Sequence, residues 1–491
     1  VAGVYLIPGL ETLPTSIPIT VPKQKETRKS LFRKGEVSMK MKKFLSVALA
    51  AAMTAGLLAG CGSNKTDSAS PESSKKDDKG SVYYLSFKPE QAEQWEAVAK
   101  AYTEETGVQV KVQTAASGTY EQTLKSEIAK KDAPTLFQVN GPVGYQNWKD
   151  YCMDLSDTDL YSWLNDKDMA IKGEDGGVYG IPYAVEGYGI IYNEEIMDKY
   201  FALDGAKASS IEEINNFEKL KEVTEDMTAK KDQLGIEGVF ASTSFAPGED
   251  WRWQTHLMNL PIYYEYQDKE VKDEKEITFE YNEEFKNIFD LYLNNSVTEP
   301  AMLGSKTVSD SMAEFALGKA AMVQNGNWAW GDISGVDGNT VKEDKIKYLP
   351  IYTGIKGEEK QGLCVGGENY FCINSEASEA DQKASLDFIQ WLFSSEEGKD
   401  KVTNELGFIT PFNTFEDDQK PTDPLAQEVI RYMENPDLTS VSWDFQTFPS
   451  QTFKDNLGAS LLEYASGNKE WNTVVTECIE DWKAEKEATA E

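Results

Sequence analysis

The chain has 491 residues, with 49 Lys+Arg against 83 Asp+Glu, a formal net charge of −34, one histidine and five cysteines. Residues 1–60 hold nine of the basic side chains and three of the acidic ones, which leaves 40 against 80 in the remainder, a surface that repels nucleic acid and anionic lipid headgroups. His256 stands alone, no cysteines form a CxxC pair, and there is no phosphate-binding glycine loop, HExxH or calcium loop, so a histidine triad, a zinc site and a resident cofactor all lack their material.

Residues 1–38, with Pro8, Pro14, Pro18 and Pro22, read as an upstream extension that takes no part in the fold. Residues 39–60 form a secretory signal, with Lys40, Lys42 and Lys43, an apolar run over 44–59 and then Gly60, followed directly by Cys61. The run is shorter than the roughly 20 residues that span a bilayer. Its ending resembles the lipobox of bacterial lipoproteins, which implies that Cys61 is acylated, is the first mature residue, and anchors the protein to the outer face of the cell membrane of a Gram-positive-type bacterium. Residues 62–80 contain no aromatic or branched apolar side chain and read as a tether. Residues 81–491 exceed one ordinary core and predict two domains.

From Ser81 onward strands and helices alternate. Residues 82–87 read as a strand; Trp95, Val98, Ala99 and Tyr102 make one helical stripe ended by Gly107; Val108, Val110 and Val112 alternate as a strand; Leu124 and Ile128 mark a helix and 136–139 a strand. This is the pattern of an α/β domain with a largely parallel sheet. Ligands in such sheets sit beyond the carboxyl ends of the strands, which makes Gln138 and Asn140 candidates. In 183–196, Gly187 and Gly189 interrupt a run rich in tyrosine and branched residues, and predict a strand that changes direction or passes between domains.

Trp251 and Trp253 open the densest aromatic patch, with Tyr263, Tyr264 and Tyr266. Two residues apart, they share a face only in a strand or extended loop; each reads equally as a ligand face or as core. Residues 320–323 form a buried strand that ends in the polar and aromatic cluster 324–330, which includes Asn325 and Trp328. Gly366 and Gly367 interrupt a strand over 362–373, where Cys364 and Cys372 are either a disulfide or two buried thiols. The last segments are helices, with Trp443 and Asp444 in a loop between two of them.

Three segments resemble the solute-binding proteins of bacterial ABC importers, in the sugar-binding branch that includes the maltose-binding protein family: PYAVEGYGIIYN over 182–193; FALGKAAM over 315–322 with 325–330; and 371–411, containing INSEASEADQKASLDFIQWLFSSEEG. The resemblance implies a two-lobed α/β periplasmic-binding-protein-like fold, each lobe a largely parallel sheet with helices on both faces. The discontinuous lobes, 81–187 with 366–412 and 188–365 with 413–491, would be joined by a hinge with crossings near 186–189 and 365–367. It implies a non-enzymatic, monomeric protein that captures an oligosaccharide and delivers it to transmembrane permease subunits driven by a separate ATPase. Trp328 falls where the family stacks a tryptophan on a sugar ring; Gln138 and Asn140 fall where it carries a tryptophan and an acid; Trp251 or Trp253 falls in the region of a second ring, Trp443 and Asp444 in that of another, and Glu186 and Tyr188 at the first crossing. The supply of rings, counting Tyr183 and Tyr188, exceeds what one pyranose covers and points to an oligosaccharide. Peptide or metal-chelate capture, a surface adhesin and a glycoside hydrolase are the alternatives, the peptide reading resting on Arg252, the arginine of the candidate loops.

Overall fold

Strand β1 (Ser81–Ser86) is buried from its second residue on, as a central strand covered on both faces must be. It opens the ordered region of a computed structural model that describes residues 79–489 apart from 117, 118, 368 and 417. The signal region, Cys61 and most of the tether lie outside the described residues. From β1 the chain enters the helix Ala92–Thr106, whose Trp95, Val98, Ala99 and Tyr102 are its buried face. Gly107 ends it at φ 75°, a left-handed cap that suits glycine, and the chain returns as β2 (Gln109–Thr114), parallel to β1. After the helix Tyr120–Ile128, β3 (Leu136–Asn140) joins the other edge of β1, again in parallel. The remaining strands are β4 (Ile171–Lys172), β5 (Val178–Pro182), β6 (Glu186–Asn193), β7 (Gly238–Phe240), β8 (Ala320–Gly326), β9 (Ile346–Leu349), β10 (Gln361–Gly366), β11 (Asn369–Ile373) and β12 (Thr439–Ser442).

They form two six-stranded sheets. The first runs β2-β1-β3-β11-β5-β4; the second runs β12-β10-β6-β8-β7, with β9 also on β6. Neither sheet is largely parallel, which corrects the expectation from the alternating strands and helices. In the first sheet β11 is antiparallel to both β3 and β5; in the second β6 is antiparallel to β8, β9 and β10. The reason lies in the connections. A parallel neighbour needs a long crossover, whereas β5 leads to β6 through residues 183–185 and β10 to β11 through residues 367–368, and such short links deliver a strand in whichever direction it arrives.

Gly187 and Gly189 do not bend β6. They lie within it, and a Cβ on Gly187 would meet the Val429 side chain at 2.7 Å, while one on Gly189 would meet the Leu349 carbonyl oxygen at 2.6 Å. Their role is close packing against the helix Pro424–Met433 and against β9. The first link between the sheets therefore precedes Glu186, and it is held from the side by Val185 N–H donating to Ile409 O at 2.6 Å.

Each sheet has apolar side chains on both faces. Tyr84, Trp95, Tyr183, Phe371, Phe388 and Phe408 fill one side of the first, and Leu85, Leu124, Phe137, Val139 and Cys372 the other. Cys364 lies in β10 and Cys372 in β11, in different sheets, and both are buried free thiols, as are Cys152 and Cys478. Among the described residues no helix is long and apolar enough to cross a membrane.

Candidate functional site

At the starting end of β6, side chains from several distant parts of the chain converge on a group of rings. Trp251 and Trp253 come not from a strand but from a helical turn: Arg252–Leu257 is π-helical and runs on into the helix Asn259–Lys269. On a helical turn residues two apart lie on different sides, so the two tryptophans part. Trp253 is buried among Phe245, Phe289 and Tyr292 and donates from Nε1 to Ser244 O at 3.0 Å, so it is core. Trp251 is half-buried, 6.1 Å from the ring of Trp328.

His256 occupies the centre of the group. Its imidazole lies flat on Tyr188, centroids 4.3 Å apart and planes 7° from parallel, with Trp251 at 5.1 Å, Trp328 at 5.6 Å and Trp443 at 6.0 Å. Trp328 and Trp443 stand nearly perpendicular, 84° apart at 6.5 Å. Both are backed by glycine: a side chain on Gly326 would collide with Trp328, and one on Gly366 with Trp443. The rings thus rest directly against the backbone of β8 and β10, which orients them. Trp443 keeps a buried Nε1–H without a protein acceptor.

The segment after β1 brings charge to the rings. Lys88, only 4% exposed, places Nζ 2.5 Å from Glu186 Oε1, 3.8 Å from Glu90 and 5.5 Å from the centre of the Trp328 ring. A buried cation tolerates this position because a carboxylate and a π face both meet it. Burial raises the Glu90 carboxyl to about 7 against the pull of Lys88, with Asp332 and Glu186 raising it further. Burial also raises Asp332, with Glu249 adding and Arg252 opposing. On another side Gln446 donates from Nε2 to Gly367 O and to Tyr370 Oη, which ties the loop after Trp443 to the second link.

A group of flat rings bordered by carboxylates and amides can stack on an apolar ring face and hydrogen-bond hydroxyls around its edge. A model of the bacterial extracellular solute-binding proteins matches residues 97–428, more than half of the chain. The chain belongs to this family. Membership makes it a binding protein rather than an enzyme. Among solved structures, the solute-binding protein RafE in complex with raffinose shares 16% identity, over 83% of this chain and 99% of that one, with a TM-score of 0.64. A chitin oligosaccharide binding protein shares 19% identity over 84% and 100%, at 0.63. An ABC-transporter binding protein from Bifidobacterium animalis subsp. lactis in complex with mannobiose shares 17% over 84% and 96%, at 0.60. These likenesses support the α/β periplasmic-binding-protein-like fold. None of the curated proteins matches.

In this solute-binding protein the structure gathers Glu186, Tyr188, Trp251, Trp328 and Trp443 at one place and leaves other candidates elsewhere. Gln138 is fully buried, accepting from Phe87 N at 2.6 Å and donating to the Tyr183 hydroxyl at 2.5 Å, so both ends of its amide are engaged inside the first sheet. Asn325 turns inward to Gly326 N and the Met312 sulfur. Asp444 is half-buried and accepts from Ser442 Oγ at 2.8 Å, and Asn140 is half-buried at the end of β3, beside Asn369. Arg252 is fully buried, its guanidinium donating to Ser244 Oγ, Ser311 Oγ and Gln324 O, so it cannot meet a peptide carboxylate. Lys88, Glu90, His256 and Gln446 were missed. Lys88 and Glu90 follow the carboxyl end of β1, where the strand-end rule would have pointed. A surface groove of about 410 Å³, lined by Tyr192, Glu194, Met197 and Phe201, lies at the far end of β6 and shares no residue with the rings.

Proposed function

We propose that the protein captures a carbohydrate at the rings of Trp251, Trp328 and Trp443, and delivers it to the permease of an ABC importer whose ATPase is a separate chain. The observation that carries this reading is the ring group bordered by Lys88, Glu90 and Glu186. It offers stacking faces and ionic hydrogen-bonding groups together, as a pyranose requires. Raffinose, mannobiose and chitin oligosaccharide in the names of similar structures favour an oligosaccharide. The count of rings no longer does: Trp253, Tyr183 and Tyr188 are core, and only Trp251 and Trp328 of the four tryptophans are more than slightly exposed.

The peptide reading has lost its arginine, and among the described residues no three His, Cys, Asp or Glu side chains gather as metal ligands. The division of strands between the sheets supports two lobes, 81–187 with 366–412 and 188–365 with 413–491, with the first boundary moved to 183–185 and the second to 367–368, since β6 and β10 each belong whole to the second sheet. The anchor is an acyl group on Cys61, which mass spectrometry of membrane-extracted protein would reveal as a lipid-modified N-terminus; an unmodified Cys61 would remove it. A calorimetric screen of the purified protein against oligosaccharides, monosaccharides, short peptides and divalent metals tests the function. Heat of binding should come from carbohydrate; binding to peptides or metals alone would overturn the reading.

A further inference from the structure

We propose that His256 is a specificity-determining residue, its imidazole edge exchanging a hydrogen bond with a hydroxyl of the sugar stacked at Trp251 and Trp328. This deepens the carbohydrate reading and rests on it. The ring is fixed on two sides. Its own backbone carbonyl accepts from the Tyr188 hydroxyl at 2.9 Å, and its plane lies on the Tyr188 ring. Around the ring stand Trp443, inclined 32° to it, and Phe445, inclined 36°, and more steeply Trp251, inclined 73°, and Trp328, inclined 59°. Trp251 and Trp328 are the two half-buried rings of the group.

His256 is 3% exposed, and among the described residues no protein group hydrogen-bonds its ring nitrogens, whereas the Tyr188 hydroxyl and Trp253 Nε1–H beside it both find partners. Burial holds the imidazole well below its usual range, and the cations Lys454, Arg252 and Lys88 push it the same way. A neutral imidazole carries one donor and one acceptor, and leaving either unmet once a bound ligand excludes water is costly. A phenylalanine would give the same stacking without that cost. A sugar hydroxyl, itself donor and acceptor, meets either nitrogen, and a hydroxyl missing or inverted at that carbon leaves the nitrogen unmet, which is the basis of discrimination.

Because His256 is the only histidine, labelling histidine with nitrogen-15 makes its two ring nitrogens the only labelled ring nitrogens in the spectrum of the whole protein. Raffinose, stachyose, mannobiose and a chitin disaccharide are the probes. The inference expects one ring nitrogen to shift on addition of the sugar that binds. It also expects H256F to lose about tenfold or more in affinity for that sugar, and H256Q, which restores a donor and an acceptor, to recover much of the loss. Bound sugar with both ring nitrogens unmoved, and H256F binding as the unaltered protein does, would overturn it. The unaltered protein carries the spectral test whether or not the variants fold. Binding of none of the four sugars by the unaltered protein would count against the carbohydrate reading itself, and so is distinct from failure of the histidine.

Discussion

Glu90 is the residue whose ionisation most directly links the site to pH. Burial raises its carboxyl from 4.5 to about 7, so the folded state holds this proton more tightly than the unfolded chain does. Between those limits a rise in pH therefore removes stability, and Asp250 and Asp423, each raised to about 6 chiefly by burial, act in the same sense. The melting temperature should fall as pH rises from about 5 to about 8, and Glu90→Gln should flatten that slope; an unchanged slope in the variant would show that Glu90 is ionised throughout. Beyond their place after the carboxyl end of β1, neither Glu90 nor Lys88 announces itself in the sequence. Single polar residues carry no periodicity, and the charges that raise Glu90 further, Asp332 in the helix Ala329–Ser334 and Glu186, lie far along the chain.

Elements were legible where one face repeats. The stripe of Trp95, Val98, Ala99 and Tyr102 and the alternation of Val110 and Val112 give their helix and strand directly. Sheet order was not, because β11 inserts between β3 and β5 from a place far later in the chain, and no local pattern encodes such a partner. The turn at Arg252–Leu257 is hidden for a related reason: nothing local marks it as helical, and on a helical turn residues two apart lie on different sides, so Trp251 and Trp253 part rather than align. That separation has a measurable consequence. Trp253→Ala removes a buried ring and its hydrogen bond to Ser244, and should cost ~3–5 kcal/mol in chemical denaturation while sparing affinity for ligand. A loss below ~1 kcal/mol would mean that the surrounding rings collapse into the gap.

At the scale of the whole molecule, the two sheets are joined by the short links at 183–185 and 367–368 and by the later passage through Ile409 and Phe412, and the rings lie beside the first two. Ties between Gln446 and Gly367 and between Lys88 and Glu186 stand close to those links, where a rotation displaces them least. A hinge at these links, which belongs to the proposed function, predicts a smaller radius of gyration in solution scattering with saturating sugar than without, because a ligand favours a closed form only by binding it more tightly. Equal radii would indicate a preformed site. The central claim, that the rings hold the ligand, is tested most directly by calorimetric titration of Trp328→Ala with the sugar that binds the unaltered protein best. Trp328 is half-buried and meets Trp251, His256, Trp443 and Lys88, so its loss removes a stacking face with little core. The account predicts a drop in affinity of about tenfold or more with the melting temperature nearly unchanged; unaltered affinity would contradict it.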